Sequence, residues 1–412
     1  MLRAHKIELR LTAVQERYLR RCAGTMRYTY NQLVAKFNDG EKYSRKDWQK
    51  FCSTMRKEIP WMNKVCSRAT YEAADNFHRA VSRFFDSVKK GKRPEAPKFK
   101  KKGRADKFQF SHSSQFRTEN RFLRIQGLRS NIRMRERIRF LGNIRSVSIS
   151  SRAGKWYASF LVETPREVRS SQSAAQREPS CGVDLGISRL AVLSTGEMWE
   201  NPRPLQKSLK LLRRRQRQVS RKFVRGAREQ SRRYRRAKNR MSKIHKRVLD
   251  YRSAAQHALT TSLVRRFDRI VIEDLNVWGL RKNRRLSRAI SDAGWGTIRR
   301  QLGYKCPAHD VELVIADRYF ASSKTCSDCG TKTQDLKLSQ RVFRCPVCGN
   351  VKDRDVNAAI NLDNYSVATD QGETLNGRSR LSKTSLEAGS PEGVNINPTL
   401  KEDLCEAKVT LV

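Results

Sequence analysis

Four cysteines near the end of the chain, Cys326, Cys329, Cys345 and Cys348, form C-x2-C-x15-C-x2-C. This spacing falls in the zinc-ribbon range, where each Cys-x-x-Cys turns as a knuckle and aims two thiolates at one ion. Gly330 and Gly349 each follow the second cysteine of a pair and permit the turn. Four thiolates complete a tetrahedron and leave no open position, so the pattern predicts one structural zinc and no reaction at it. The remaining cysteines are scattered and read as small apolar residues of a reduced protein.

Three acids point to a different chemistry. Asp184 ends an apolar run in VDLGI, Glu273 ends another in IVIED, and Asp355 opens DVNAAINL after the cysteine motif. A carboxylate at the tip of an apolar strand is costly to bury without a partner. Taken singly, each acid reads equally well as a surface group or a helix cap. Converging from separate elements, the three could hold two Mg2+ ions, because Mg2+ prefers carboxylate oxygen and retained water. Two such ions about 4 Å apart can activate a water and stabilise the leaving oxygen of a phosphodiester. Gly186 would keep the backbone tight beside Asp184. His5, His78, His112, His245, His257 and His309 show no ligand spacing and read as surface or satisfied core residues.

The charge balance names the partner class. Among 412 residues, 88 Lys and Arg stand against 40 Asp and Glu, a net +48. Such an excess calls for a polyanion, and a long nucleic acid fits better than an anionic membrane surface. The sequence has no apolar run long enough to span a membrane and no secretory signal at its start, so a cytoplasmic, nucleoid-associated protein is expected. The densest basic stretch, Lys207 to Arg247, holds 19 Lys and Arg and the single acid Glu229. A solvated face normally mixes signs, so Arg213, Arg214, Arg215, Arg217, Arg221, Lys222, Arg232, Arg233, Arg235 and Arg236 are candidate phosphate contacts. Lys98, Lys100, Lys101 and Lys102, on a tract broken by Pro94 and Pro97, could also track a backbone. Trp156, Tyr157 and Phe160 form an aromatic row that could stack on bases, although such rows more often belong to a core.

The elements that must position these residues follow from periodicity. Ile7, Leu9 and Leu11 alternate as a strand, and Thr12 with Gln15 has the spacing of a capping box. A helical pattern runs from there to about residue 90, clearest at Ala73, Phe77, Ala80, Val81, Phe84 and Val88. Strand signals return at Phe108, Phe110, Phe122 to Ile125, Val147 to Ile149 and Trp156 to Val162, with a turn at Arg152 to Lys155. Residues 1–165 therefore read as a β-barrel with a helical insertion. A linker is expected at 166–179, then strands through Glu200. A helical hairpin over 205–255 would share one narrow apolar seam (Leu205, Leu209, Leu212, Val219 and Phe223 against Tyr234, Met241, Ile244 and Val248). A strand at Arg269 to Glu273, a helix near Thr297 to Cys306, a strand at Val311 to Ile315 and a helix at Asp355 to Leu362 complete the ordered part. The segment from 364 is rich in Ser, Gly, Thr and Asn and is expected to be disordered.

The order VDLGIS, IVIEDL, four-cysteine motif, DRDVNAAINL resembles the split RuvC nuclease of the TnpB family, RNA-guided endonucleases of insertion sequences related to type V CRISPR effectors. YFASSKTCSDCG, RYTYNQL and PEAPKFKKK followed by FQF resemble the same family, and the resemblance spans roughly residues 5–362. It implies an α/β plus β architecture: an RNase H-like (RuvC) domain over 180–322 and 350–363, with the basic hairpin (205–255) and a zinc ribbon (323–349) inserted. A wedge-like β-barrel over 1–12 and 91–165 would precede it, carrying a helical recognition insertion over 13–90.

The resemblance also implies catalytic, Mg2+-binding roles for Asp184, Glu273 and Asp355, with guide RNA and target double-stranded DNA as partners. Asp353 and Asp274 adjoin these positions. Asp355 is preferred because the family pattern centres on the acid two before Asn357, and Glu273 because period-2 alternation cannot put it and Asp274 on one face. The expected activity is Mg2+-dependent cleavage of target DNA beside a short motif read by the protein. The alternatives are a transposase that joins strands and a catalytically silent DNA-binding regulator. The oligomeric state stays open, a monomer being the simpler expectation.

Overall fold

The computed structural model describes residues 1–366 other than 41–43, 92, 104–105, 112, 166–176, 228, 334–335 and 337–339. Most of the expected linker and the expected disordered tail beyond 366 lie outside the described residues.

Strand β1 (Leu2–Arg10) buries Ile7 and Leu9 on one face, as alternation dictates. Thr12 then starts α1 (Ala13–Asn38): its hydroxyl accepts from the Gln15 backbone while Gln15 Oε1 accepts from the Thr12 N–H. Ser44 and Asp47 open α2 (Arg45–Glu58) in the same reciprocal way. In α3 (Arg68–Lys89) the expected apolar stripe is buried at Ala73 and Phe77 but reaches solvent by Val88. Phe77 meets Tyr30, Phe37 and Trp48 edge-on, which ties the three helices together.

Six more strands follow: β2 (Lys107–Phe110), β3 (Phe116–Glu119), β4 (Phe122–Ile125), β5 (Ile132–Met134), β6 (Asn143–Arg152) and β7 (Lys155–Glu163). With β1 they form an antiparallel, nearly closed barrel in the order β2-β6-β7-β1-β5-β4-β3. The β6–β7 turn puts both Ala153 and Gly154 at positive φ, the twist a two-residue hairpin requires. Trp156, Tyr157 and Phe160 are only 3, 6 and 0% exposed. They are core residues, so the base-stacking expectation for this row does not hold.

The second sheet comprises β8 (Glu178–Asp184), β9 (Arg189–Leu193), β10 (Met198–Glu200), β11 (Phe267–Glu273) and β12 (Glu312–Ala316). Its order is β10-β9-β8-β11-β12, antiparallel from β10 to β8 and parallel from β8 to β12. Between β10 and β11 run the hairpin helices α4 (Pro204–Ser220) and α5 (Arg232–Arg266). Their seam is narrow, as expected, with Leu212, Val219, Ala237 and Val248 buried. Phe223, expected in the seam, is exposed and instead meets Tyr234 near the tip, where α4 has already ended. Short helices α6 (Val277–Leu280) and α7 (Ser287–Ala293) precede α8 (Trp295–Ala308), the crossover to β12. One sheet face packs Cys181, Val183, Ile270 and Ile272 against α5 and α8. The other presents Val271 and Val314 to Leu362 of α9 (Arg354–Asp363).

Candidate active site and metal centre

The parallel register sets Val183 beside Ile272. The next pair, Asp184 and Glu273, therefore ends two adjacent strands side by side. Side chains alternate, so Asp184 shares its face with Gly182, and Glu273 shares its face with Val271. Both acids thus lie on the α9 side of the sheet. Helix α9 can reach them because of Gly182. A Cβ there would sit 1.9 Å from the Ala359 carbonyl oxygen and 2.4 Å from the Asp363 nitrogen. Glycine alone allows this helix backbone to lie on this strand, and Asp355, in the first turn of α9, is carried to the same end.

The neighbouring acids are occupied elsewhere. Asp353 caps α9, accepting from the Asp355 and Val356 N–H groups at 2.9 and 3.3 Å, and pairs with Arg189 at 3.1 Å. Asp274, on the opposite face from Glu273, binds Arg318 at 2.5 Å and also Arg299 of α8. The Arg318 bond and then Arg299 hold its carboxyl below the usual carboxylate range. Asp184 is in the opposite condition. Burial, then the Glu273 and Asp355 carboxylates, push its carboxyl up to about 8, with Arg354 pulling it down. Glu273 accepts from the buried Ser322 hydroxyl at 2.5 Å. Crowded carboxylates with little basic compensation suit a divalent cation.

The four cysteines also converge. Among the described residues they are the only group of three or more His, Cys, Asp or Glu whose ligand atoms all lie within 4.8 Å of one another. Asp184, Glu273 and Asp355 do not form such a tight group. Sulfur separations are 3.6 Å for Cys326 to Cys348 and 3.5 Å for Cys329 to Cys345. A tetrahedron with bonds of about 2.3 Å spaces its sulfurs by about 3.8 Å, so the site fits zinc. Gly330 and Gly349 both take positive φ in the knuckles. The second knuckle links β13 (Val342–Arg344) to β14 (Val351–Asp353), and β14 runs straight into α9. The other described cysteines, Cys22, Cys52, Cys66, Cys181 and Cys306, are buried and unpaired, as small core residues are.

Of the candidate basic contacts, Arg213, Arg214, Arg217, Arg221, Lys222, Arg232, Arg233, Arg235 and Arg236 are exposed along the hairpin. Arg215 is half-buried and donates to Gln218, while Arg235 pairs with Glu229 at 2.9 Å. Lys98 and Lys102 lie within 3.8 and 4.0 Å of Glu95 and Glu229, and Lys101 is exposed. Lys100 differs: its ammonium lies 3.4 Å from the Tyr30 ring centre, and Asn31 pins its backbone at both N–H and C=O. Desolvation, then the Lys107 charge, pulls its ammonium down to about 8, although the residue as a whole is exposed. With Arg27 and Lys107, Lys98 to Lys101 line a cavity of about 530 Å³.

Sequence reasoning missed four residues here. Gly182 carried the signal of a glycine inside an apolar strand. Asn357 and Asn361, four apart on α9, donate to the carbonyls of Thr325 and Ser322 and so tie the helix to the ribbon. Ser322 lies in the run YFASSKTCSDCG, but nothing in that run singles it out from Ser323 beside it.

Comparison with known proteins places this geometry. A family profile described as "Probable transposase" (OrfB_IS605) matches residues 159–284, and "Cas12f1-like, TNB domain" matches 295–362. A "Helix-turn-helix domain" profile of OrfB_IS605 matches 1–41, where the described residues form one strand and one 26-residue helix. A "Putative RNA-guided DNA endonuclease" of Streptomyces pristinaespiralis is 34% identical over 370 residues, covering 87% of this chain and 88% of the relative. "Putative RNA-guided DNA endonuclease InsQ" of Escherichia coli is 30% identical over 383 residues, 88% of this chain and 91% of the relative. A Mycobacterium tuberculosis protein, "Putative RNA-guided DNA endonuclease Rv2885c", is 36% identical over 328 residues, 73% of this chain and 68% of the relative. With relatives aligned along most of both lengths, and the acid and cysteine motifs in their expected order, this chain belongs to the TnpB family of transposable-element proteins.

Proposed function

We propose that the chain is an RNA-guided, Mg2+-dependent DNA endonuclease that cuts target DNA beside a short motif. The observation that carries this reading is the meeting of Asp184, Glu273 and Asp355 at one sheet end. The adjacent acids Asp274 and Asp353 are already held in ion pairs and a helix cap. The strand order, three antiparallel strands followed by two parallel ones, supports an RNase H-like (RuvC) reading of the second sheet. The names of the relatives support the guided-nuclease assignment.

In this reading Asp184, Glu273 and Asp355 would hold the ions through their carboxylate oxygens. When bound, two Mg2+ ions supply an activated water and neutralise charge on the leaving oxygen. Hydrolysis breaks the bond from phosphorus to the 3′ oxygen, which departs with a proton, leaving a 3′-hydroxyl and a 5′-phosphate. The exposed arginines of the hairpin neutralise phosphates of the guide RNA or its duplex with the target. Sequence choice falls to base pairing, while the protein reads shape and a short motif. The cysteine ribbon is structural.

Cleavage by the purified protein–RNA complex tests this. A plasmid carrying the matched target should be cut in Mg2+, spared in EDTA, and spared by Asp184→Ala at unchanged RNA content. Full cutting by that variant would overturn the site assignment. Joined rather than cut strands would overturn hydrolysis in favour of strand transfer.

A further inference from the structure

We propose that Ser322 is a positioning residue through which the cysteine ribbon fixes Glu273 for metal binding. The inference rests on the nuclease reading above and extends it to a residue outside the acid triad. Ser322 is 3% exposed, and its hydroxyl donates to Glu273 Oε1 at 2.5 Å. It begins a short segment that ends in the first knuckle. Asn361 Nδ2 donates to the Ser322 carbonyl at 2.7 Å and to the Thr325 carbonyl at 2.6 Å. Asn357 Nδ2 donates to the Thr325 carbonyl at 2.7 Å, and its Oδ1 accepts from the Ser327 N–H at 2.9 Å. Cys326, between Thr325 and Ser327, is a ribbon thiol, and its N–H closes the knuckle onto the Thr331 carbonyl at 2.9 Å. Hydrogen bonds and chain thus run unbroken from a metal-binding thiol to a triad carboxylate. The ribbon holds a second acid as well, because β14 leads directly into α9 and Asp355.

The chemistry explains why the hydroxyl matters. A glutamate at a strand tip has rotatable bonds, and ordering them costs free energy at the moment of metal binding. A short bond to the ionised carboxylate occupies one oxygen and leaves the other for an ion. Such outer partners of ligating carboxylates change metal affinity or activity by about 10- to 100-fold when removed. The backbone and side chain of Ser322 divide the work. Its carbonyl holds Asn361 and survives substitution to alanine, whereas its hydroxyl serves Glu273 alone.

The test uses the full chain with its co-purified RNA. Single-turnover cutting is followed against Mg2+ concentration for the wild type, Ser322→Ala, Ser322→Thr and Asp184→Ala. Thermal unfolding of the same chains, with and without saturating Mg2+, gives a readout independent of cutting. Ser322→Ala should raise half-saturating Mg2+ about tenfold or more, recover most of its rate at high Mg2+, and show a smaller Mg2+-induced rise in unfolding temperature. Ser322→Thr, which keeps the hydroxyl, should restore both. Wild-type Mg2+ dependence in Ser322→Ala would overturn the proposal, as would equal impairment of both variants at every Mg2+ concentration. If Asp184→Ala is dead while Ser322→Ala is unchanged, the inference falls and the nuclease reading stands. If Asp184→Ala cuts normally, the nuclease reading itself falls.

Discussion

Gly182→Ala should disable cutting without touching a carboxylate. The φ of Gly182 is not in the left-handed region, so alanine meets no backbone penalty there, and the cost is steric alone. Its Cβ would lie 1.9 Å from the Ala359 carbonyl oxygen, and real Cβ atoms essentially never come within 3.0 Å of such an atom. Strand and helix must therefore separate by about 1.1 Å, and both obstructing atoms are backbone that cannot rotate away. Overpacking of this kind costs about 1–3 kcal/mol. The helix that moves carries Asp355, and a misplacement of about 1 Å in a reacting constellation can cost about 100-fold in rate. Gly196→Ala is the control: Gly196 has φ +86° with nothing within 4 Å, so it should cost only about 1–2 kcal/mol of backbone strain and leave cutting intact. Thermal unfolding and single-turnover cleavage of both variants separate the two effects. Wild-type cutting by Gly182→Ala would refute the claim that this close approach sets the distance from Asp355 to Asp184.

The paired acids should separate cleanly. Glu273→Gln and Asp355→Ala should abolish cleavage, whereas Asp274→Asn, freeing two half-exposed arginines, should cost at most about 1 kcal/mol and Asp353→Ala about the 0.5–2 kcal/mol of a lost helix cap, both still cutting. The raised Asp184 carboxyl gives a pH dependence. Between its ordinary value of 3.8 and about 8 the folded chain keeps a proton that the unfolded chain has lost, so metal-free stability falls as pH rises through that window. Mg2+ should raise the unfolding temperature more near pH 8 than near pH 5, and Asp184→Asn should flatten both trends; a metal-free unfolding temperature that rises over this range would contradict the assignment. Replacing Arg213, Arg214 and Arg217 by Gln should lower the log–log salt slope of RNA binding by about 2, since each single-strand phosphate contact contributes about 0.7. An unchanged slope would remove the hairpin from the RNA interface.

What was legible in the sequence was local. Alternation at Ile7 and Leu9, the Thr12–Gln15 capping box, and the VDLGI and IVIED runs each determine their own backbone within a few residues, and the structure follows them. Strand β1 nevertheless begins at Leu2, because β7 pairs with it from Leu2 to Leu9 and the ladder carries the polar residues Arg3 and His5 along. Choosing Glu273 over Asp274 needed only strand parity. The misses were non-local. Nothing near Gly182 announces that a helix some 175 residues later in the sequence will lie on it. Nothing near Lys100 announces that Tyr30 will take its ammonium. Trp156, Tyr157 and Phe160 fit a core more often than a nucleic-acid surface by type, and barrel closure decides for the core. Ser322 becomes meaningful only once the segment after β12 brings it against Glu273.

The central claim is that base pairing with a bound RNA, and not the protein alone, chooses where the three carboxylates act. The direct test is to exchange the target-matching segment of the co-purified RNA and map the cut on DNA carrying both the old and new matching sites, each beside the same flanking motif. The account predicts that the cut moves to the new match in Mg2+ and disappears with Asp184→Ala. A cut that stays at the old site after the exchange, or that needs no RNA, would contradict it.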